Sequence, residues 1–304
     1  MPNPPQTVDL LILGAGWTST FLIPLCKSRN IPYAATSRPG SPKPDTILFE
    51  YDPTSDDPNP YNVLPHAKTV VITFPIKVKG GSGRLVKLYE QTHASETRTG
   101  FIQLGSTGIW DGGPTLDGKP QSKWFDRHSP FNTSNDRAAA ETKLLDLSPE
   151  SHTTVLNLSG LWGGQRALKH WVGKVAPTKE VLKNKGSIHM IHGEDVSRAI
   201  LAVHGNFEPA IGQRWILTDQ RVYDWWDLAS AWGETESKEK SQSEESGSNG
   251  DEGRGPQARW VRELMVETGV RALPRSPEQM VGRALDSREF WDTFKVEPVR
   301  ARLE

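Results

Sequence analysis

The chain has 304 residues, a formal net charge of −1 and one cysteine, Cys26. That length admits one large domain, or a nucleotide-binding domain with a smaller lobe, and the near-zero charge excludes a global field drawing it to nucleic acid or an anionic membrane. A lone cysteine excludes an intramolecular disulfide and suits a reducing compartment, so a soluble cytoplasmic protein is expected, with no membrane span and no secretion signal.

Val8–Leu13 predicts a buried strand ended by glycines, and Thr18–Arg29 a helix weakened by Pro24. Strands over Pro32–Ser37, Thr46–Tyr51 and Thr69–Phe74 precede a helix over Gly83–Ala94. A strand over Phe101–Leu104, a helix over Asn135–Leu147 and a strand over Thr154–Leu158 follow. Asp195 reads as the N-cap of a helix running to His204, ahead of a strand at Arg214–Leu217 and an aromatic-rich helix at Trp225–Trp232. Residues 234–255 are rich in serine, glutamate, lysine and glycine and hold no large apolar side chain, which predicts a disordered insertion. Helical patterns resume at Arg259–Glu267 and Ser287–Phe294. Short apolar strands alternating with helices specify an α/β fold. The expectation is a Rossmann-type, doubly wound parallel sheet over 7–217 and a small C-terminal substrate lobe over 218–304.

Gly14-Ala15-Gly16-Trp17-Thr18-Ser19 follows the first strand and opens the first helix, the context a dinucleotide-binding turn requires. Gly14 permits the tight turn, Gly16 lets backbone approach a pyrophosphate at the positive end of the helix, and Ser19 stands where a third glycine is usual. The second strand ends Ala35-Thr36-Ser37-Arg38-Pro39, with no carboxylate to hold the ribose hydroxyls of NAD. Arg38 can pair instead with a 2′-phosphate, with Thr36 and Ser37 as hydroxyl donors. NADP(H) is therefore expected ahead of NAD(H); the alternative is that Arg38 is a solvated loop residue.

Five segments extend this reading: Leu13–Trp17, Val70–Pro75, Leu104–Trp110, Leu156–Gly163 and Ile191–Val196. In their order and spacing the chain resembles an atypical, extended-type member of the short-chain dehydrogenase/reductase superfamily, near the NAD-dependent epimerase/dehydratase group and its YeeZ-like branch. The resemblance implies a cofactor site made of Gly14, Gly16, Trp17 and Thr18 with Ser37 and Arg38, continued by Thr73, Phe74 and Pro75. It implies that Ser106 and Thr107 sit beside the nicotinamide, one of them at the catalytic hydroxyl, and that Ser159 and Leu161 touch the same end. Asp195 is a helix cap in this reading rather than a catalyst, and His192 either faces the site or is structural.

The superfamily's usual acid–base pair, Tyr-x-x-x-Lys, is missing. None of the five tyrosines has a lysine four residues later, and counting back from Glu141 puts Thr133 and Arg137 at the two positions. Threonine is too weak an acid to replace tyrosine, and arginine holds a charge but relays no proton. His128, Asp126 and Asp111 are replacement donors from the same region; His128 has a suitable ordinary pKa, with an exposed loop histidine as the alternative. No metal set is expected, because His189 and His192 lack a third ligand. Trp110, Trp162 and Trp171 either wall an aromatic substrate pocket or pack a core, as do Trp225 and Trp226. The expected function is an NADP-dependent oxidoreductase acting on a small carbonyl, alcohol or sugar-like substrate, with a homodimer as an option. The alternatives are a non-catalytic NADP(H) sensor and an epimerase or dehydratase.

Overall fold

In β1 (Thr7–Leu13) side chains alternate between two apolar layers, Leu10 and Ile12 on one side, Leu11 and Leu13 on the other. A strand buried on both faces lies inside a sheet covered by helices on each side. The computed structural model describes residues 7–95, 97–111, 124–232, 255–276, 279–280 and 282–300. β1 leads into α1 (Ser19–Ser28), β2 (Tyr33–Ser37), the short β3 (Ile47–Leu48), β4 (His66–Ile72), α2 (Gly81–Thr92) and β5 (Gly100–Ser106). β6 (Trp124–Phe125), α3 (Asp136–Leu145), β7 (His152–Leu158), β8 (Gly160–Trp162), α4 (Val172–Val175), α5 (Lys179–Lys183), β9 (Ser187–Ile188) and β10 (Met190–His192) come next. The chain then runs through α6 (Gly193–Gly205), β11 (Gln213–Leu217), β12 (Tyr223–Asp224), α7 (Trp225–Trp232), α8 (Gln257–Thr268), β13 (Ala284–Leu285) and α9 (Arg288–Phe294).

Seven strands form one parallel sheet in the order β11-β7-β5-β4-β1-β2-β3. The apolar layer holding Leu22 of α1, Ile200 of α6 and Phe290 of α9 covers one face, and the layer holding Leu85 of α2 and Leu144 of α3 covers the other. This is the doubly wound α/β architecture. Chain order reverses between β1 and β4, and a crevice opens there at the carboxyl ends of the strands. β4 ends at Ile72, two residues earlier than expected, which leaves Thr73 and Phe74 in the loop at that crevice. β3 keeps only two residues of the strand expected at Thr46–Tyr51, because it is a sheet edge between proline-rich loops.

One expectation is corrected. Asp195 is not the N-cap of α6: His192 takes that place, its Nδ1 accepting from the Glu194 N–H at 3.2 Å. Asp195 lies buried in the first turn and accepts the N–H groups of Val299 and Arg300 at 2.7 and 3.1 Å, tying the C-terminal segment to the helix. Trp162, Leu168, Val172 and Leu182 share a separate core with Trp225, Trp226, Val261 and Leu264, whereas α9 returns to the sheet, its Phe290 and Phe294 against Trp215. Apolar complementarity, not chain order, draws the lobe's limits. The insertion expected at 234–255 lies outside the described residues, Gly255 excepted. Among the described residues no helix is long and apolar enough to cross a membrane.

Candidate functional site

Gly14 has φ +92°, and a Cβ built on it would lie 2.7 Å from Thr73 Oγ1. The turn is pinned from three sides. Gly14 N–H donates to Thr36 Oγ1 at 2.9 Å, the Thr73 hydroxyl donates to the Gly14 carbonyl at 2.7 Å, and the Ser19 hydroxyl donates to the Gly16 carbonyl at 2.6 Å. Serine at the third position therefore leaves the turn intact and fastens it. Thr18, buried, heads α1, its carbonyl accepting from Phe21 and Leu22 N–H. Trp17 leans outward, its Nε1 donating to the Gly163 carbonyl at 3.1 Å.

These residues open on a cleft of about 870 Å3 that runs from the glycine turn to Arg38, Lys43, Phe74, Pro75, Lys77 and Arg166. Four cations and one carboxylate, Glu50, are among its described lining residues, a balance suited to a polyanion. Arg38 is exposed at the mouth of the cleft. The expected hydroxyl donors are placed differently. Thr36, buried, accepts the Gly14 N–H and keeps its own proton to donate, whereas Ser37, buried, pairs with Thr46 Oγ1 at 2.6 Å and accepts the Lys43 N–H at 3.1 Å. The exposed groups that can meet a phosphate at the end of β2 are Arg38, Ser41 and Lys43. The Lys43 ammonium also donates to the Ala15 carbonyl, joining this loop to the glycine turn. Sequence reasoning missed Lys43, Lys77 and Arg166, since each arrives on an irregular loop without periodicity. Tyr51 lines the cleft as well, stacked on Phe74 at 5.8 Å; its phenol donates to the Gly81 carbonyl and burial pushes its pKa up to about 12.

A second cavity of about 560 Å3 brings together Pro75, Lys77, Ser106 and Arg137. Ser106 Oγ accepts the Gly108 N–H at 3.1 Å, which leaves its own proton to donate. Arg137 enters on the first turn of α3, whose N-cap Asn135 accepts the N–H groups of Arg137 and Ala138. Behind Ser106, Asn157 Nδ2 donates to the Ser106 carbonyl at 3.2 Å and to Glu141 Oε2 at 2.8 Å, and Arg214 meets the same carboxylate at 3.1 Å. Glu141 is buried: desolvation pushes its pKa up, and Arg214 and the Asn157 hydrogen bond oppose that push. Gly105 permits the layer to close, since a Cβ there would lie 2.5 Å from both Asn157 Nδ2 and Glu141 Oε1.

The other candidates fall elsewhere. Thr107 is buried beneath Arg283, its Oγ1 3.5 Å from Nη2, and Asp111 pairs with the same guanidinium, whose pKa burial lowers to about 10. Thr133 is exposed and is absent from the cavity lining. His128 points away: Nε2 meets Glu289 at 2.9 Å on an exposed surface, and neighbouring Arg127 binds Gln213 at the start of β11, the edge opposite the cleft. Asp126 is occupied by the His128 N–H and the Ser129 hydroxyl. Pairing of β6 with β13, which no local pattern announces, carries this loop there. Ser159 is buried and its hydroxyl has no partner among the described residues, while Leu161 packs against the sheet core. Trp110 is buried and donates to the Ser129 carbonyl, and Trp162, Trp225 and Trp226 fill the lobe with Trp171 packed against them, so these tryptophans pack cores rather than wall a pocket. Among the described residues no group of three metal-ligating side chains occurs.

No family model and no curated protein matches the chain in sequence. Its fold is shared with solved structures. A protein from Methylobacillus flagellatus described as an NAD-dependent epimerase/dehydratase aligns with TM-score 0.62 and 13% identity over 97% of this chain and 94% of that one. Vestitone reductase from alfalfa aligns with TM-score 0.62 and 14% identity over 97% and 95%. dTDP-glucose 4,6-dehydratase from Bacillus anthracis, solved with NAD, aligns with TM-score 0.57 and 11% identity over 96% and 92%. At such identities the likeness concerns the fold, a Rossmann-like α/β sheet that in these proteins serves epimerases, dehydratases and reductases.

Proposed function

We propose that the chain binds NADP(H) across the crevice between β1 and β4 and works as an oxidoreductase on a small carbonyl, alcohol or sugar-like substrate. The observation that carries this is the glycine turn opening on a cleft whose β2 end offers Arg38, Ser41 and Lys43, with Glu50 as the one carboxylate among its described lining residues. A bound nicotinamide supplies or accepts hydride. Ser106 donates a hydrogen bond to the substrate oxygen, and Arg137 holds negative charge as it develops there without giving up a proton. The proton is drawn from solvent that reaches the cavity. The reading puts the protein in the cytoplasm, with a small-molecule substrate and no nucleic-acid or membrane partner, as its near-zero charge suits.

The test is calorimetric titration of NADPH and NADH. Arg38→Ala and Lys43→Ala are expected to weaken NADPH at least about tenfold each and NADH little, as loss of a charge-assisted hydrogen bond implies; equal losses for both cofactors sink the 2′-phosphate assignment. A second reading, a non-catalytic NADP(H) sensor, is favoured by one observation: no tyrosine is among the described residues lining the cavity beside Ser106. Absorbance of NADPH followed across a carbonyl panel separates the two, since a sensor binds and does not consume it.

A further inference from the structure

We propose that Arg166 clamps the diphosphate of the bound dinucleotide, and that stacking on Trp17 sets it in place. The inference rests on the dinucleotide reading and adds a residue from the far side of the cleft. The Arg166 guanidinium lies 4.5 Å over the Trp17 ring. Trp17 is in the glycine turn, and its Nε1 holds the Gly163 carbonyl at 3.1 Å. Gly163 and Arg166 exchange backbone hydrogen bonds at 2.9 and 3.1 Å, which closes a tight turn. Gly163 at φ +107° and Gly164 at φ +58° make that turn, and a Cβ on Gly164 would sit 3.5 Å from Phe21 and 3.9 Å from Trp17 Nε1. The turn is thus seated directly on the start of α1.

An arginine stacked on an indole keeps its in-plane N–H groups for a ligand. Arg166 lines the same cleft as Gly14, Gly16 and Trp17, and among the described residues its guanidinium forms no ion pair. A diphosphate settles on such a turn at the N-terminus of the following helix, beside this cation. Arg38 and Lys43 belong to the end of β2, where the 2′-phosphate is assigned. The two sets of cations therefore read different phosphates: Arg166 the diphosphate common to NAD and NADP, Arg38 and Lys43 the one that distinguishes them.

Calorimetry on the full chain with Arg166→Ala and Arg166→Gln tests this, using NADPH, NADH, ADP and adenosine 2′-monophosphate as probes. NADPH, NADH and ADP are expected to weaken by a common factor of about 10 to 100, with adenosine 2′-monophosphate unchanged, as loss of charge-assisted hydrogen bonds predicts. Trp17→Leu should weaken the same three, and Trp17→Phe should restore much of the loss by keeping an aromatic face. Unchanged binding in the Arg166 variants overturns the clamp, and so does a loss confined to NADPH and adenosine 2′-monophosphate. If Arg38→Ala proves unselective while Arg166→Ala weakens both dinucleotides, the NADP preference falls and the clamp stands. A wild-type chain that binds neither dinucleotide overturns both. Unfolding curves matching wild type confirm that each variant is folded.

Discussion

Gly14 meets two demands at once, a φ of +92° and a neighbouring Thr73 Oγ1 that would lie 2.7 Å from any Cβ. Gly14→Ala should cost roughly 1–3 kcal/mol of stability through backbone strain and crowding. It should weaken NADPH by more than about tenfold, since the turn must shift off the phosphate; denaturant midpoints and calorimetry measure the two effects. At the reacting end, Ser106→Ala should lower kcat about 100-fold, as removal of one oxyanion donor does elsewhere. His128→Ala should leave kcat unchanged, because its ring faces Glu289 on the outer surface. The contrast shows what local pattern can reveal. Glycines in a strand–turn–helix context declare a backbone requirement within a few residues. The role of His128 depended on where the loop goes, and that is decided by a pairing between residues 124–125 and 284–285. Ser37 pairs with Thr46 and Lys43 within the protein, while Thr36 accepts the Gly14 N–H, partners that lie six to 22 residues away and that a local pattern does not announce.

His189, between β9 and β10, accepts the Leu285 N–H of β13 at 3.0 Å and so joins two pieces distant in sequence. Burial lowers its pKa from 6.5 to about 4. A base with a depressed folded pKa gives its full contribution above the unfolded value, and that contribution is lost as pH falls from about 6.5 to about 4, by up to about 3 kcal/mol. Asp219 works in the opposite sense: burial raises its pKa to about 6, so its penalty on folding grows as pH climbs from about 3.8 to about 6. The wild-type slope is the difference of the two. His189→Gln keeps an acceptor but not the titration, so on going from pH 7 to pH 4.5 its urea midpoint should rise relative to that of wild type, with the Asp219 titration left unopposed. The long sheet strands were legible because each is a nearly unbroken apolar run. The 160–192 region was not, since β8, β9 and β10 are two or three residues each and α4 and α5 are too short to show a period.

The molecule holds its lobe together with one fully buried ion pair. Arg275 meets Asp224 through Nε and Nη2, at 3.0 and 2.6 Å, and lies 3.8 Å over Trp226. Both side chains are nearly inaccessible, at 3% and 0% exposure. Arg275→Met strands a carboxylate in that interior and should cost about 3–5 kcal/mol, while Asp224→Leu combined with Arg275→Met should recover a substantial part; thermal and urea unfolding compare the two. Tryptophan count left a substrate pocket and a packed core as alternatives, and Trp162, Trp225 and Trp226 are what the lobe is built from. Composition reveals that large aromatic surfaces must be buried somewhere, and only the tertiary arrangement decides against what.

The layer of Glu141, Asn157 and Arg214 bears on how such a chain can change over time. It grips the carbonyl of Ser106 from behind and lies wholly on the far side of the cavity. The groups facing a substrate are therefore separable from the groups that hold β5, α3, β7 and β11 in register. The protein is in that sense a mould whose casting can be exchanged, and residues 134–137, which line the cavity, are where a new acid can be grafted without disturbing the frame beneath.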